Sequence, residues 1–170
     1  SHAMLKRTVL AHARLEDARF TGADLEDANL GRATLRRADL SDTVLRDAVL
    51  RGADLRQARM QRADLTNALV SEAIFEGADL SGAMAANIVL HEASLAGVVA
   101  HGTRFDAAVM VKTNLQGADL SGAFLAKASL IGVRGAGTLF VGAELRATMF
   151  VDHCDLRGAR FIRAQGKGAN

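Results

Sequence analysis

A bulky apolar residue stands at every fifth position over most of the chain, and a small residue, usually alanine, stands two places before it. The rule holds from Leu5 to Phe150 with few exceptions. The stretch Gly-Ala-Asp-Leu-Ser-Gly-Ala occurs at 77–83 and again, unchanged, at 117–123. Because self-similarity at a fixed period is the signature of repeat architectures, this period constrains the fold more than any other feature of the sequence.

Neither a helix nor one straight strand accommodates a period of five. In an α-helix a step of five residues rotates by roughly 140°, which would scatter the leucines around the helix. In a straight strand, side chains five positions apart point to opposite faces. The period fits a chain that turns a corner once in every five residues, so that the small residue and the leucine point inward and the residue between them points outward.

Repeated corners predict an all-β fold, a right-handed solenoid whose short strands stack in parallel on the coils above and below. Four sides in each coil, as in a right-handed quadrilateral parallel β-helix, would give about twenty residues per coil, although the period itself does not fix the number of sides. About eight coils spaced about 4.8 Å apart would form a rod roughly 40 Å long. The leucines expected to form the ladder inside this rod include Leu25, Leu30, Leu40, Leu55, Leu80 and Leu120.

The repeating unit Ala-Asp/Asn-Leu-X-X is clearest at 23–25, 28–30, 53–55 and 63–65. On these motifs the chain resembles the pentapeptide repeat family over almost its whole length. The resemblance implies a four-sided, right-handed β-helix. It implies much less about function, because the same positions build the core in every member of the family.

Length and composition fit a single domain, since 170 residues with 49% hydrophobic residues are enough to bury a continuous core. We expect the β-helix to span residues 5–164, with a residual expression-tag sequence and native start at 1–4 and a frayed polar tail at 165–170. No apolar run is long enough to span a membrane and no secretory signal is visible, so we expect a cytoplasmic bacterial protein without membrane contact.

Arginine is dense between residues 32 and 62, and aspartates are interspersed with it. This pattern predicts a solvated surface with ion pairs. The alternative is a patch for nucleic acid or an acidic partner. Because no aromatic side chains lie among these arginines to stack on bases, we expect no direct nucleic-acid binding.

Three positions where leucine is expected hold Ala85, Ala100 and Gly135. In two of these pentads Val98 and Val133 replace the preceding small residue, so that large and small residues have exchanged places. Since the exchange roughly conserves volume, we expect a repacked core there rather than a ligand pocket.

The phase of the repeat slips by one residue after Phe150, which predicts an enlarged corner within 151–153. Cys154 then takes an inward position and is expected to be a buried small hydrophobe. The residues 152–155 match no known metal-ligand spacing. We predict no catalytic, cofactor-binding or metal site there or elsewhere in the chain.

One column of outward residues is far more apolar than a solvated surface requires. With twenty residues in a coil, this column contains Val49, Leu69, Val89, Val109 and Met149, and Phe124 lies on the neighbouring face. Contiguous apolar stripes often mark interfaces, so we predict that these residues bind a partner protein or a second copy of the chain. Two alternatives stay open: β-branched residues simply suit strands, or the stripe contacts a membrane.

The last coils are unusually aromatic because they contain Phe140, Phe150 and Phe161. A terminal coil exposes unpaired strand groups and an open apolar lumen. We therefore consider an end-to-end homodimer at the C-terminal end, an arrangement that the family resemblance also includes.

The preferred function is a non-enzymatic scaffold for an unknown protein partner, without a cofactor. No nucleophile with a base, phosphate loop or ligand cluster is evident, and His91 and His101 are expected at outward corners with nothing to pair with. The family resemblance adds a second hypothesis, since some members mimic duplex DNA and bind DNA gyrase or related topoisomerases. A net charge of +2 argues against a phosphate-like surface. An enzyme or ligand-binding protein and an accessory module of a bacterial secretion or effector system are further alternatives.

Overall fold

The computed structural model describes residues 3–169, and its chain winds in coils of twenty residues. Outward residues twenty positions apart are joined by parallel bridges, as Val49 is with Leu69 and Leu69 is with Val89. These bridges form four columns, which define four faces of a parallel β solenoid. The five-residue period of the sequence is therefore the length of one side of a coil.

The four faces are named by their outward residues. Face 1 contains Met4, Asp24, Val44, Asp64, Met84, Arg104, Phe124, Glu144 and Gln165. Face 2 contains Val9, Asn29, Val49, Leu69, Val89, Val109, Ser129 and Met149. Face 3 contains Arg14, Thr34, Asp54, Ile74, Ser94, Asn114, Arg134 and Asp155. Face 4 contains Arg19, Asp39, Arg59, Asp79, Val99, Asp119, Leu139 and Arg160.

Strands of three residues occur on face 2 in the C-terminal half. They are β1 (Val109–Val111), β2 (Ser129–Ile131) and β3 (Met149–Val151), which pair in parallel in the order β1-β2-β3. Their register continues the column, since Val109 pairs with Ser129 and Ser129 pairs with Met149. Within residues 3–169 no helix is long and apolar enough to span a membrane.

Each corner holds one residue in the left-handed region of φ, except the corner after β3, which holds two. After Leu50, the N–H of Ala53 donates to the Leu50 carbonyl at 3.0 Å, and Gly52 has a φ of 64°. Positive φ at the third residue of a β-turn favours glycine, yet the same conformation is imposed on Arg37 with a φ of 55°. The solenoid therefore overrides local backbone preference at many of its corners.

The Asp or Asn of the repeat unit caps the corner that follows it. A side-chain oxygen of Asp39 accepts a hydrogen bond from the N–H of Ser41 at 3.2 Å, and Asp79 accepts one from Ser81 at 2.9 Å. Short polar side chains favour this bond to the backbone two residues further on. This explains why Asp and Asn so often precede the inward leucine.

Alanine and leucine fill the lumen in alternation. Each member of the leucine ladder named above is at most 2% exposed. Where threonine replaces alanine, its hydroxyl finds a carbonyl in the preceding coil: Thr103 donates to Leu80 at 2.7 Å and Thr113 to Leu90 at 2.6 Å. The buried hydroxyls are thereby satisfied, as burial in an apolar core requires.

The core is repacked where the leucine rule fails, as the sequence predicts. Val98 and Val133 are each 1% exposed, and the space beside Ala85 is too small to admit a water molecule. At Gly135 an added Cβ would lie 2.9 Å from Cδ2 of Leu156, so the leucine of the next coil fills the space that a side chain would occupy.

The predicted enlarged corner follows β3. Asp152 and His153 have consecutive positive φ values of 58° and 55°, and bridges on the next face join residues 21 positions apart, as Arg134 and Asp155 do. Cys154 is only half-buried, where the sequence predicts full burial. Its Sγ lies 3.2 Å from the Leu130 carbonyl oxygen, the kind of contact that threonines make elsewhere in the lumen.

Backbone pairing continues into the segment that the sequence predicts to be a frayed tail. Gln165 bridges Glu144, its N–H donates to Ala143 at 2.9 Å, and its carbonyl accepts from Leu145 at 2.6 Å. The backbone ladder therefore continues despite the glycines. At the other end Met4, the expected native start, bridges Asp24 and belongs to the first coil. The predictions for Ser1, His2 and Asn170 lie outside the described residues.

Candidate protein-interaction face

Face 2 presents the predicted apolar column as one row of stacked outward residues. Val49, Leu69 and Val89 are half-buried, while Val109 is 37% exposed and Met149 is 46% exposed. Parallel bridges hold neighbouring members in register, so their side chains form a flat stripe rather than scattered spots. Only Asn29 and Ser129 interrupt the run of apolar residues along this column.

The strands β1, β2 and β3 widen the stripe. The first and third residues of a three-residue strand point to the same side, so Val111, Ile131 and Val151 lie beside the column. Val151 is 40% exposed, and Val111 and Ile131 are half-buried. The C-terminal half of face 2 is therefore a small, flat and mostly apolar sheet.

Face 1 does not form a comparable surface. Its apolar residues alternate with charged ones, as the sequence indicates, and Asp64 is buried beside Arg46, with which it forms an ion pair. Phe124 is half-buried, and the guanidinium of Arg104 lies 5.0 Å above its ring. The ring of Phe124 is thus engaged in a cation–π contact within its own face. Because Phe124 lies on face 1, it is not part of the apolar row on face 2.

Ion pairs between successive coils cover the arginine-rich coils. Arg37 contacts Asp17 at 2.7 Å, Arg62 contacts Asp42 at 2.7 Å, and Arg59 contacts Asp39 at 2.9 Å, each across twenty residues. Hydrogen bonds from Arg37 and Arg62 lower the pKa of Asp17 and of Asp42. The predicted solvated surface laced with ion pairs is found here.

The histidines differ from the sequence-based expectation. His101 Nε2 lies 2.8 Å from a carboxylate oxygen of Asp119, and His91 lies 3.6 Å from Glu92. Burial alone would raise the pKa of Asp119, but hydrogen bonds from Ser121 and His101 lower it. His101 therefore serves as a partner for a repeat-unit aspartate one coil further along the rod.

The three C-terminal phenylalanines pack on one another. The rings of Phe140 and Phe161 stack 4.8 Å apart, and Phe150 meets both edge-on at 6.1 Å. Phe140 is wholly buried, Phe150 is half-buried and Phe161 is 40% exposed. The cluster fills and covers the end of the lumen, so only the outer two rings are accessible to a partner at this end.

Concave sites are shallow and charged. One groove, of about 400 Å³, is open to solvent. It is lined by His12, Arg32, Arg51 and Glu72 beside Gly31 and Gly52. In the part of the chain that the structure describes, no group of three or more His, Cys, Asp or Glu side chains is placed to hold a metal ion.

One feature of the candidate face escaped the sequence-based reasoning. The stripe is flanked by charged corner residues, with Arg146 on the side where β3 begins and Asp152 on the side where it ends. A column analysis limited to outward strand residues omits these corners. The analogous pair in the coil of β1 is Asp106 and Lys112. In both coils the charges on the two sides of the stripe are opposite, and this pattern in the sequence could have revealed the charged corners.

Comparison with known sequences assigns the chain to a class of repeat proteins. The sequence profile of the pentapeptide repeats matches eight copies, within residues 1–37, 28–67, 73–110 and 110–148. The fold is a parallel β solenoid, and the chain belongs to the pentapeptide repeat family. None of the curated protein sequences is significantly similar to it.

Solved structures of the same family are similar to this chain. HetL, a pentapeptide repeat protein involved in heterocyst differentiation regulation in the cyanobacterium Nostoc sp. strain PCC 7120, is 26% identical, with a TM-score of 0.52 over 99% of this chain and 89% of HetL. A pentapeptide repeat protein from the thylakoid lumen of Arabidopsis thaliana is 30% identical, with a TM-score of 0.52 over 62% of this chain and 67% of that protein. QnrB1, a plasmid-mediated fluoroquinolone resistance protein, is 20% identical over 93% of this chain and 89% of QnrB1, with a TM-score of 0.41.

Proposed function

We propose that the protein is a non-enzymatic interaction scaffold that binds a partner protein through face 2. The rod is a right-handed, four-sided β-helix of about eight coils that acts in the bacterial cytoplasm. The observation that carries the proposal is the mostly apolar row on face 2, widened by Val111, Ile131 and Val151. A contiguous apolar patch rimmed by polar residues often marks a protein-interaction site, which supports an interface at this position.

The composition of the other faces supports the choice of face 2. Face 4 places Arg59 between Asp39 and Asp79, and face 3 mixes Arg14, Asp54 and Arg134 with small polar residues. Such surfaces are already solvated and partly ion-paired. Covering them would remove water from charged groups, and the cost of that desolvation would not be offset by the burial of apolar area. Covering face 2 would remove mainly apolar area from water, which is the favourable term in association.

Affinity capture from the native host tests the proposal. Leu69→Lys combined with Val109→Lys places two charges in the stripe, and Val99→Lys combined with Leu139→Lys is the matched control on face 4. The same protein should be captured by the unmodified chain and by the control, and should be lost with the face 2 variant. Equal capture by both variants, at equal thermal stability, would contradict the proposal.

DNA mimicry toward gyrase is the second candidate, and one observation favours it. Residues 64–120 contain seven carboxylates and two cationic side chains, so the middle of the rod is acidic although the whole chain is not. On face 4, however, Val99 separates Asp79 from Asp119, which leaves no continuous row of charge comparable to a phosphate backbone. A supercoiling assay with and without a quinolone tests this candidate: inhibition or protection at micromolar protein would favour it over the scaffold.

A further inference from the structure

We propose that the partner on face 2 is a second copy of the same chain, packed face to face with the two rods parallel. This inference rests on the proposed function, because it names the occupant of the proposed interface. Its twofold axis runs along the rods, between the two faces. The symmetry places each coil opposite the same coil of the other copy and reverses the strand direction, so that the corner before each strand faces the corner after it.

Charges at these corners are complementary under that symmetry. In the coil of β3, Arg146 before the strand faces Asp152 of the second copy after it. In the coil of β1, Asp106 faces Lys112 in the same way, although Asp106 also contacts Arg104 of its own chain at 3.2 Å. Near the N-terminus the same relation joins Glu26 and Arg32, although Glu26 also contacts Lys6 of its own chain at 2.6 Å. Each of these pairs occurs twice in a symmetric dimer, which favours this alignment over random contact.

The outward column is also complementary to itself when the rods are parallel. Val89 meets Val89, Met149 meets Met149, and the polar residue Asn29 meets its own equivalent. An antiparallel arrangement centred on Val89 would instead place Asn29 against Met149 and would bring Glu92 of the two copies together. The parallel arrangement therefore avoids both a polar–apolar mismatch and a like-charge contact at the centre.

The ends of the rod disfavour stacking of copies along the axis. Residues 3–22 contain four cationic side chains and two carboxylates. Residues 154–169 contain four cationic side chains and one carboxylate. Contact between ends, in either combination, would bring net positive charge together. Basic residues at exposed sheet edges are a common means of preventing such pairing. Charge thus directs association to the side of the rod.

The size of the face predicts a weak dimer. Six coil spacings from Asn29 to Met149 give about 29 Å, and three extended residues give a width of about 10 Å. The resulting patch is well below the ~800 Å² per partner of a standard interface. The dimer should therefore form at high micromolar concentration and exchange rapidly, so a covalent trap is the appropriate measurement.

Single cysteines and a short bis-maleimide cross-linker provide the trap. Cys154→Thr removes the native thiol and introduces the residue that Thr113 and Thr148 supply at equivalent inward positions. In that background, Met149→Cys and Val89→Cys should both give cross-linked dimer, at least tenfold more than Val99→Cys on face 4. Circular dichroism of each variant establishes that it is folded before cross-linking.

Each outcome has a defined meaning. Cross-linking at position 89 without position 149 would indicate antiparallel rods and overturn the proposal, because the two Met149 positions would then be about 29 Å apart. Equal cross-linking at all three positions, or none at any, would overturn a specific dimer. If a different protein is still captured through face 2, the proposed function stands while the second copy is rejected.

A charge exchange tests the orientation independently. Arg146→Glu should weaken the dimer about fivefold, because it places two carboxylates together. Adding Asp152→Arg should restore it, and Arg32 and Arg37 show that this fold accepts arginine at a corner residue with positive φ. Failure of the second substitution to rescue the first would contradict the parallel pairing.

Discussion

The third residue of each corner is held in the left-handed region of φ whether or not it is glycine. Ala147, for example, is exposed and has a φ of 55°. For a residue with a Cβ this conformation costs roughly 1–2 kcal/mol. The corners therefore contain local strain, which the ladder of backbone hydrogen bonds between coils maintains.

Replacing Ala147 with glycine should stabilise the fold by about 0.5–1 kcal/mol. Glycine removes the steric cost of the left-handed conformation, and this gain exceeds its larger loss of chain entropy. The midpoint of urea unfolding measures the effect. Ala136→Gly is the control, because Ala136 also lies at a corner but has no positive φ, and it should destabilise the fold. Destabilisation by both substitutions would contradict the assignment of strain.

At the scale of the coil, stability depends on where a coil lies in the stack. An inner coil packs against neighbours on both sides, whereas the first and last coils have one neighbour. Leu55 is fully buried, but Leu15, the equivalent residue of the first coil, is only half-buried. Repeat proteins are quasi-one-dimensional, so the energetic effect of a substitution should follow this difference.

Leu55→Ala should lower the free energy of unfolding by about 2–5 kcal/mol, because it leaves a cavity that the flanking coils cannot collapse into. Leu15→Ala should cost about half as much or less, because its site is already partly solvated. Chemical denaturation of both variants gives the comparison. Equal losses at the two sites would indicate that the first coil is as tightly packed as the centre.

Periodicity predicted the coils well, because the inward positions of a repeat are determined by the chain alone. Three features follow from counting positions: the column that contains Val89 and Met149, the repacking around Ala85, and the enlarged corner at 151–153. The three-residue strands on face 2 do not follow from counting positions, because their length depends on how the corner after β1 is hydrogen-bonded.

Contacts between coils were harder to predict than the coils themselves. The pairing of His101 with Asp119 depends on side-chain conformations across a coil boundary, which a linear pattern does not specify. The ordered ladder at 165–169 was missed because glycine and polar residues indicate fraying by composition, whereas Gln165 has a backbone partner in the preceding coil. Cys154 packs against the core but is half-buried because it lies in the last coil, as the inward residues Leu156 and Ala164 do.

At the scale of the whole molecule, carboxylates linked to the coils make stability depend on pH. A hydrogen bond from Arg157 lowers the pKa of Asp155 from its ordinary 3.8 to about 2. The pKa values of Asp17 and Asp42 are also lowered, by arginines of the next coil. In the unfolded chain these groups regain their ordinary pKa and bind protons more readily than in the fold.

Stability should therefore be nearly constant from pH 7 to pH 5 and should fall as the pH decreases from about 4 to about 2. The sign follows from linkage, because groups with a lowered pKa in the fold stabilise it above their unfolded pKa and lose that contribution as they are protonated. Urea midpoints at pH 7, 5 and 3 measure the trend. A protein that became more stable at pH 3 would contradict it.

The central claim is that face 2 is the interaction surface, and a photo-cross-linking scan of one coil tests it most directly. A benzophenone amino acid is placed in turn at Met84, Val89, Ser94 and Val99, the outward positions of the four faces in a single coil. The account predicts strong cross-linking in native cells from position 89, and little from positions 94 and 99. Equal cross-linking from all four positions, or the strongest from position 94 or 99, would contradict it.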